Sequence, residues 1–290
     1  MYKENMMSIQ PYSVLISVYY REKPAYFDQA LNSIVMQTEM PDEIVVVRDG
    51  PLTPELDEVL QRYDRDYPGL FRILTNEKNL GLGPSLARGV EACRNELIAR
   101  MDSDDISRPD RMEKQLNVFL DEPETAVCGG AIREFNGDDI NDETGFRICP
   151  ETNDELKTYM KKRCPFNHMT VMYKRSEVLR AGNYKDFLYN EDYLLWIDMA
   201  KAGCVFRNLK DVLVDVRTDD QLYSRRGGDV YFRSEKGIQD ILLKEGIINR
   251  SIYAENMAKR IILQKLMPNR MRSFIYKHII RSKHTNEETQ

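Results

Sequence analysis

Short apolar runs alternate with amphipathic stretches through the first half of the chain. Five runs have the length and composition of buried strands: "YSVLISVYY", "EIVVV", "FRIL", "ELIARM" and "TAVCGGAI". Between them the apolar positions follow helical spacing, as at Phe27, Leu31 and Ile34 after the first run. This alternation predicts βαβ units, and therefore an α/β fold with a mostly parallel, Rossmann-like sheet and helices on both faces.

The pattern changes in the second half of the chain. Residues 138–154 are polar and irregular, "HMTVMYKRS" returns to strand character, and "EDYLLWIDMAKAG" predicts a helix. Past Arg217 the segment "RRGG" marks a mobile loop, and helix-forming segments run from Tyr231 nearly to the end. We therefore predict one domain with two halves and an extension: 1–218, divided into about 12–135 and about 136–218, and then 219–290.

The composition is that of a soluble globular protein. A chain of 290 residues with 42% hydrophobic residues can bury one large core, and a net charge of -5 gives no reason to expect nucleic-acid binding. Five scattered cysteines without CxxC spacing are typical of reduced cytosolic thiols. The first residues lack the layout of a secretory signal, and no apolar run reaches the roughly 18 residues of a membrane span. We expect a cytoplasmic protein, unless an amphipathic surface brings it to a membrane.

A dense acidic cluster follows the run "ELIARM". In "ARMDSDDIS", Asp102, Asp104 and Asp105 come at the carboxyl end of a predicted strand, where ligands bind in parallel α/β sheets. Carboxylates spaced i and i+2 can bind one hard cation such as Mg²⁺ or Mn²⁺ and leave coordination sites for phosphate oxygens. The alternative is a solvated acidic turn before the next helix, whose expected N-cap is Ser107.

Several ordered strings carry a resemblance to a known family: "SVLISVYY", "PDEIVVVRDGP", "NLGLGPSLARGVEAC", "ELIARMDSDDISRPDRMEKQL" and "PFNHMTVMYKRS", followed by "NEDYLLWIDMAKAG". Over roughly Tyr12 to Gly228 the chain resembles the family 2 inverting glycosyltransferases of the GT-A fold, in the amylovoran-type branch that assembles bacterial capsular and exopolysaccharides. The resemblance implies a catalytic domain at 1–218, with a nucleotide-binding half and an acceptor half. It also implies a UDP-sugar donor, a lipid-linked oligosaccharide acceptor and Mn²⁺ or Mg²⁺ as cofactor.

On the donor side, the resemblance assigns roles to side chains at the ends of the first two strands. Ser17 and Tyr19 match positions that contact the nucleotide base, and Tyr19 would offer its ring for stacking. Asp49 matches the second acidic residue of the family's Asp-Asp-Gly turn and would accept a hydrogen bond from the uracil N–H. Arg48 stands at the first position of that turn, a departure that leaves open how the base edge is read.

The acidic cluster matches the family's metal-binding DxD motif. The resemblance implies that Asp104 ligates the metal ion and that Asp102 holds the ribose or the metal, while Asp105 supports the loop or the entry to the next helix. "NLGLGP" is a poor dinucleotide fingerprint because proline follows its GxG, and we interpret it as a turn beside the nucleotide.

An acidic pair at the start of the helix "EDYLLWIDMAKAG" matches the position of the family's catalytic base. Inverting transfer needs a carboxylate that takes the acceptor's proton, and we favour Asp192, with Glu191 orienting the acceptor or acting in its place. The alternative is structural, because acidic residues in a first turn stabilise a helix through its dipole. Trp196, the single tryptophan, is expected to pack in the core and not to serve as a sugar platform.

Three further side chains are candidates for the donor diphosphate or the acceptor. His168 in "PFNHMT" could contact either one, or could be a hydrogen-bonded structural residue. Arg225 and Arg226 belong to the Gly-flanked segment "YSRRGG", and paired guanidinium groups suit a diphosphate. A solvated basic loop is the alternative for the two arginines.

The segment 257–283 interleaves apolar residues with eight Lys or Arg and contains no acidic residue. Such a segment can bind an anionic membrane surface, which would make the protein peripheral on the inner face of the cytoplasmic membrane. Packing on the catalytic domain or in a homodimer is the competing interpretation.

Two other functions stand as alternatives to sugar transfer. A metal-dependent nucleotidyltransferase also uses acidic metal ligands, but it would need a Gly/Lys/Arg-rich loop after the first strand, and "YYREKPAYF" lacks one. A non-catalytic nucleotide-sugar-binding module is the second alternative, and the complete acidic motifs count against it.

Overall fold

The computed structural model describes residues 10–218 and 228–267. In the first half, four strands alternate with three helices: β1 (Tyr12–Val18), α1 (Pro24–Val35), β2 (Glu43–Arg48), α2 (Pro54–Asp66), β3 (Phe71–Thr75), α3 (Leu82–Ala92) and β4 (Leu97–Met101). The strands lie in the order β3-β2-β1-β4 and all their pairings are parallel. The predicted βαβ series is confirmed.

Both faces of β1, β2 and β4 are buried, which explains why these three strands are apolar at most positions. Leu15 and Val45 contribute to one core, which α3 completes with Leu86. Val14 contributes to the opposite core, which α1 completes with Phe27. Successive side chains of a strand point to opposite faces of the sheet. A change of one residue in the pairing of a strand would therefore move each of its side chains into the opposite core, where it would not fit, and this packing fixes the register.

The second half completes the sheet in a mixed arrangement. Its elements are β5 (Ile106–Ser107), α4 (Arg111–Asp121), β6 (Thr125–Asn136), β7 (Glu143–Arg147), α5 (Asn153–Met160), a 3₁₀ turn (His168–Thr170), β8 (Met172–Lys174), α6 (Arg175–Arg180), α7 (Glu191–Lys201) and β9 (Val205–Thr218). β8 runs antiparallel to both β4 and β6, whereas β6 runs parallel to β9. β5 and β7 pair antiparallel with β9 and β6. The α/β class is confirmed, with parallel pairing concentrated in the first half of the chain.

The start of α4 differs from the sequence prediction. Ser107 lies in β5 opposite Val214, and the helix begins at Arg111 with Asp110 as its N-cap residue. Pro109 explains the difference, because the residue that precedes a proline is disfavoured in the helical conformation. The prediction of Ser107 as the helix cap was therefore wrong.

The helical extension packs on the rest of the chain. It consists of α8 (Asp229–Lys244), α9 (Arg250–Arg260) and a π-helical turn (Ile261–Leu266). Ile238 and Leu242 of α8 are buried in the same core as Trp196 of α7, which is the core residue that the sequence predicted. Asn256 of α9 donates a hydrogen bond to the backbone oxygen of Lys161 at 2.9 Å.

Within the basic segment 257–283, Arg260 Nη2 donates a hydrogen bond to the backbone oxygen of Lys162 at 3.1 Å, which favours packing on the first 218 residues for the described part of the segment. The part of that segment beyond residue 267 lies outside the described residues. None of the described helices combines the length and the apolar character that crossing a membrane requires.

Candidate functional site

A pocket of about 560 Å³, here called the strand-end pocket, opens where β1, β2 and β4 end. Five residues that the sequence singled out line it together: Ser17, Tyr19, Asp49, Asp102 and Asp104. The other lining residues are Arg21, Glu22, Lys23, Tyr26, Asn79, Gly81, Leu82 and Ser103. Parallel strands end at one edge of a sheet, and this is why residues far apart in the chain meet there.

Asp49 holds the turn before α3 against the pocket through hydrogen bonds. Its side chain is buried, with 4% exposed, and its carboxylate accepts hydrogen bonds from the backbone N–H groups of Leu80 at 2.7 Å and Gly81 at 3.0 Å. Asn76 Nδ2 donates a third hydrogen bond at 3.1 Å. Gly81 has a φ of 91°, a conformation that favours glycine, and α3 begins directly after it. The turn "NLGLGP" therefore lies beside the pocket, held by Asp49.

Arg48 turns away from the pocket. Its Nη2 lies 2.8 Å from a carboxylate oxygen of Asp57 on α2, and Arg48 is absent from the pocket lining. This ion pair explains how a cation is accommodated where the family has an acid. At the end of β2, Asp49 is the side chain that faces the pocket.

The acidic loop after β4 is held from both sides. Arg100 Nη2 lies 2.5 Å from Asp102 Oδ1, and Ser103 Oγ donates a hydrogen bond to Glu22 Oε2 at 2.6 Å. These contacts fix the direction in which Asp102 leaves the strand. Glu22 adds a carboxylate to the pocket wall that the sequence did not single out.

Arg217, at the end of β9, holds the same loop through two hydrogen bonds. Its backbone N–H donates to Asp105 Oδ1 at 2.9 Å, and its Nε donates to the backbone oxygen of Asp104 at 3.1 Å. The guanidinium also lies over the ring of Tyr26, 3.8 Å from its centroid. Asp105 is buried and bound to the backbone, which agrees with the expected supporting role.

The pocket carries more negative charge than its own cations balance. Burial raises the pKa of Asp104 to about 7, and repulsion from Asp102 and Glu22 adds to the rise. Burial likewise raises the pKa of Asp105, and Asp104 is its nearest repelling charge. A bound cation would relieve this repulsion.

The donor set at the pocket suits a hard cation, because it consists of carboxylate oxygens. The described residues contain no ready cluster of three or more His, Cys, Asp or Glu side chains that could hold a metal ion. The protein would therefore supply Asp104 and Asp102 as ligands, and phosphate oxygens and water would complete the coordination.

The acidic pair lies in the first turn of α7. Asp192 is partly exposed; its Oδ1 accepts the backbone N–H of Tyr193 at 2.7 Å, and its Oδ2 accepts the Cys164 thiol at 3.3 Å. Glu191 is more buried, with 9% exposed. Burial raises the pKa of Glu191 to about 7, with Asp192 adding to the rise, and burial also raises the pKa of Asp192. A carboxylate with a raised pKa is suited to accept a proton near neutral pH.

The pair does not line the strand-end pocket, but one packing contact and one electrostatic interaction connect it to the pocket. A Cβ built on Gly83 of α3 would lie 3.2 Å from Glu191 Cβ, so α3 packs directly against the pair. Arg100 interacts electrostatically with Glu191 and Asp192, and it opposes the rise in the pKa of both. The same arginine binds Asp102 at the pocket edge.

His168 is held inside the protein. Its Nε2 lies 2.8 Å from the Tyr184 hydroxyl, and burial, followed by the positive charge of Arg100, lowers the pKa of His168 well below its usual range. The imidazole is therefore neutral at physiological pH. Its role at the donor or acceptor stays a prediction, whereas Arg225 and Arg226 lie outside the described residues.

Sequence reasoning missed three residues that organise the site: Arg100, Cys164 and Arg217. Arg100 could have been noticed, because a charged residue inside the apolar run "ELIARM" needs a buried partner. The contacts of Cys164 and Arg217 join residues far apart in the chain, and no local pattern marks them.

The sheet edge gathers a carboxylate after β2, an acidic loop after β4 and a neighbouring acidic pair, the arrangement that the resemblance to GT-A glycosyltransferases implies. The sequence pattern described as "Glycosyl transferase family 2" matches residues 13–181, and the chain belongs to this family. The resemblance noted from the motifs is thereby confirmed.

Relatives along nearly the whole chain support this assignment. The amylovoran biosynthesis glycosyltransferase AmsE of Erwinia amylovora is 37% identical over 268 residues, 91% of this chain and 97% of that protein. A UDP-Gal:alpha-D-GlcNAc-diphosphoundecaprenol beta-1,3-galactosyltransferase of Escherichia coli is 36% identical over 271 residues, 93% of this chain and 96% of that protein. The structure of S. aureus TarS residues 1–349 in complex with UDP-GlcNAc has a TM-score of 0.61 at 18% identity, over 92% of this chain and 79% of that one.

Proposed function

We propose that this glycosyltransferase moves a sugar from a UDP-sugar to a lipid-linked oligosaccharide, with inversion, in the biosynthesis of a bacterial surface polysaccharide. The observation that carries the proposal is the strand-end pocket, which joins Asp49 to the acidic loop at Asp102 and Asp104. Two relatives support the substrates: one acts in amylovoran biosynthesis, and the other transfers galactose from UDP-Gal to a diphosphoundecaprenol-linked sugar.

In this proposal the nucleotide base occupies the part of the pocket beside β1 and β2. Tyr19 leaves 39% of its surface exposed, so its ring is accessible for stacking, and Ser17 lies at the same edge. The Asp49 carboxylate has about four acceptor positions and uses three, so about one remains on a group that the loop has already oriented, and it would accept the uracil N–H. A ready-oriented acceptor costs little entropy on binding.

The donor diphosphate would lie over the acidic loop with a divalent cation, Mn²⁺ or Mg²⁺. Asp104 and Asp102 would hold this ion, which when bound stabilises the negative charge of the leaving diphosphate. Arg217 keeps the loop in place through the backbone of Asp104 and the side chain of Asp105. Arg225 and Arg226, which lie outside the described residues, are proposed as further diphosphate ligands.

Inversion requires attack on the anomeric carbon from the side opposite the leaving diphosphate. Asp192 is proposed as the base that accepts the acceptor hydroxyl proton, because it is the more exposed member of the pair and both of its oxygens are oriented by hydrogen bonds. Glu191, buried against α3, would orient the acceptor side of the site.

Contact with a membrane, assembly into a homodimer and peripheral localisation stay proposals. Ile261 and Ile262 are exposed on the π-helical turn beside Lys259 and Lys265. This mixture of apolar and basic side chains is typical of a surface that binds an anionic membrane. Such a contact would bring the active site close to a lipid-linked acceptor.

The test begins with the donor. Thermal unfolding is measured with a panel of UDP-sugars in Mn²⁺ or in EDTA, because a ligand raises Tm according to its affinity. The preferred UDP-sugar is then used for turnover by wild type, Asp192→Asn and Asp198→Asn. Asp198 is the matched control, because it lies on the same helix and forms an ion pair with Lys185 at 2.7 Å.

Asp192→Asn should lower kcat by about 100-fold or more and leave UDP affinity within about twofold, because a general base contributes roughly 10²–10⁴-fold. Asp198→Asn should retain turnover. Wild-type turnover by Asp192→Asn would refute the assignment of the base. Release of inorganic diphosphate from UTP and a sugar 1-phosphate, with no release of UDP from UDP-sugars, would favour the nucleotidyltransferase alternative. UDP-sugar binding without any turnover would favour a binding module.

A further inference from the structure

Arg100 is a buried cation inside a strand, and its hydrogen bonding is incomplete. Only 1% of the residue is exposed, and its Nη2 lies 2.5 Å from Asp102 Oδ1. Its Nε and Nη1 are buried and have no hydrogen-bond partner among the described residues. Burying donors without partners costs folding free energy, so a residue of this kind calls for an explanation in function.

The position of Arg100 suggests what that function is. On one side its guanidinium binds Asp102, which lines the strand-end pocket. Its charge also acts on Glu191 and Asp192, which lie outside that pocket. One guanidinium therefore contacts a carboxylate of the donor side and contributes to the electrostatics of the acidic pair on α7.

We propose that Arg100 is a positioning residue that orients Asp102 at the donor side of the active site. Its Nη2 sets the direction of the Asp102 carboxylate, and its positive charge also favours the ionised forms of Glu191 and Asp192. Arg100 touches no reacting atom. The inference rests on the proposed function, since it assumes that these carboxylates serve the donor and the acceptor.

A planar guanidinium is suited to this task in a way that an ammonium is not. Arginine presents five N–H donors in a rigid fork, so it can bind groups in two directions at once, whereas lysine offers a compact charge on a flexible stem. Arg100→Lys therefore keeps the positive charge and loses the geometry. Arg100→Met removes both.

Arg111 provides a matched control. It is also a fully buried arginine, and its Nη2 donates to the backbone oxygen of Arg100 at 2.8 Å. Its Nε donates to Gln115 Oε1 at 2.9 Å, and it contacts no carboxylate in the described structure. Arg111→Lys disturbs the same region of the core without touching Asp102 or the acidic pair.

The experiment compares wild type, Arg100→Lys, Arg100→Met and Arg111→Lys. The Tm of each variant reports the fold, titration calorimetry gives the Kd for UDP with Mn²⁺ or EDTA, and steady-state turnover gives kcat and the donor KM. Arg100→Lys should fold, bind UDP about 10-fold more weakly and lose about 10–100-fold in kcat, the usual cost of removing a partner that orients a ligand. Arg111→Lys should lower Tm and keep both Kd and kcat within about twofold.

Equal losses of kcat and UDP affinity in Arg100→Lys and Arg111→Lys would overturn the proposal, because they would show a general effect on packing. Wild-type kcat in Arg100→Lys would overturn it as well. If Arg100→Met fails to fold, Arg100→Lys still decides, since it retains the charge. Failure of the proposed function is recognised separately, because the wild-type protein would then release no UDP from any UDP-sugar.

Discussion

Replacing Asp49 with Asn tests whether Asp49 stabilises the pocket and whether it recognises the nucleotide base. The Asp49 carboxylate accepts three hydrogen bonds, from Asn76 at 3.1 Å, Leu80 at 2.7 Å and Gly81 at 3.0 Å. An amide has one accepting oxygen, so one N–H donor of the protein would face an NH₂ group. The other bonds would no longer be assisted by a negative charge.

The expected loss follows from these contacts. A hydrogen bond to a charged group contributes about 1.5–3 kcal/mol, so Asp49→Asn should destabilise the fold by about 2–4 kcal/mol. For a chain of this size that lowers Tm by roughly 5–10 °C. Losing a charged acceptor for the uracil N–H should weaken UDP binding by about 10–100-fold.

Asp57→Asn is the control, because Asp57 pairs with the adjacent Arg48 at 2.8 Å on the protein surface. Surface ion pairs contribute about 0–1 kcal/mol, so its Tm and UDP affinity should stay close to wild type. Differential scanning calorimetry and titration calorimetry measure the two quantities. An unchanged Tm for Asp49→Asn would refute the structural argument, and a lowered Tm with unchanged UDP affinity would refute base recognition by Asp49.

Three further predictions concern the acidic pair and the charge of the site. Gly83→Ala should lower Tm and kcat, because a Cβ there would overlap a backbone carbonyl and press on Glu191; wild-type kinetics would contradict this packing. The pKa values of Asp104 and Glu191 are raised from 3.8 and 4.5 to about 7, so their stability contribution is full below pH about 4 and is lost as pH rises through about 7. Tm of the metal-free protein should therefore fall from pH 5 to pH 8, and less steeply in Asp104→Asn; equal slopes would disprove the assignment. Cys164→Ala should lower kcat about 10-fold by freeing Asp192, whereas Cys164→Ser should retain turnover, and equal kcat values in the two variants would exclude an orienting role of the thiol.

The nucleotide-binding half was predictable because its information is local. Strands buried on both faces produce continuous apolar runs, and Ser17, Asp49 and Asp102 each come where such a run ends. Once the strands were recognised as parallel, their ends had to meet at one edge. The strand-end pocket is the geometric consequence of that rule.

The second half was less predictable because its strands range from two to fourteen residues, and its longest strand, β9, is partly exposed and pairs with a strand far earlier in the chain. β9 contains Arg207, Lys210 and Asp211 in its first half, so its apolar pattern is interrupted, and it pairs with β6, far earlier in the chain. The contact between Cys164 and Asp192 likewise depends on the tertiary fold. Local pattern cannot show such contacts.

The distribution of charge connects donor binding to the fold itself. Carboxyl groups outnumber cations around Arg100, which acts on five of them: Asp102, Asp104, Asp105, Glu191 and Asp192. An anionic diphosphate alone would add to this repulsion, whereas a diphosphate that enters with a divalent cation would bring its own compensation. On the proposed function, the same excess of negative charge would favour a cation-bound donor over the free nucleotide, and Arg100 would hold Asp102 in place while that donor binds.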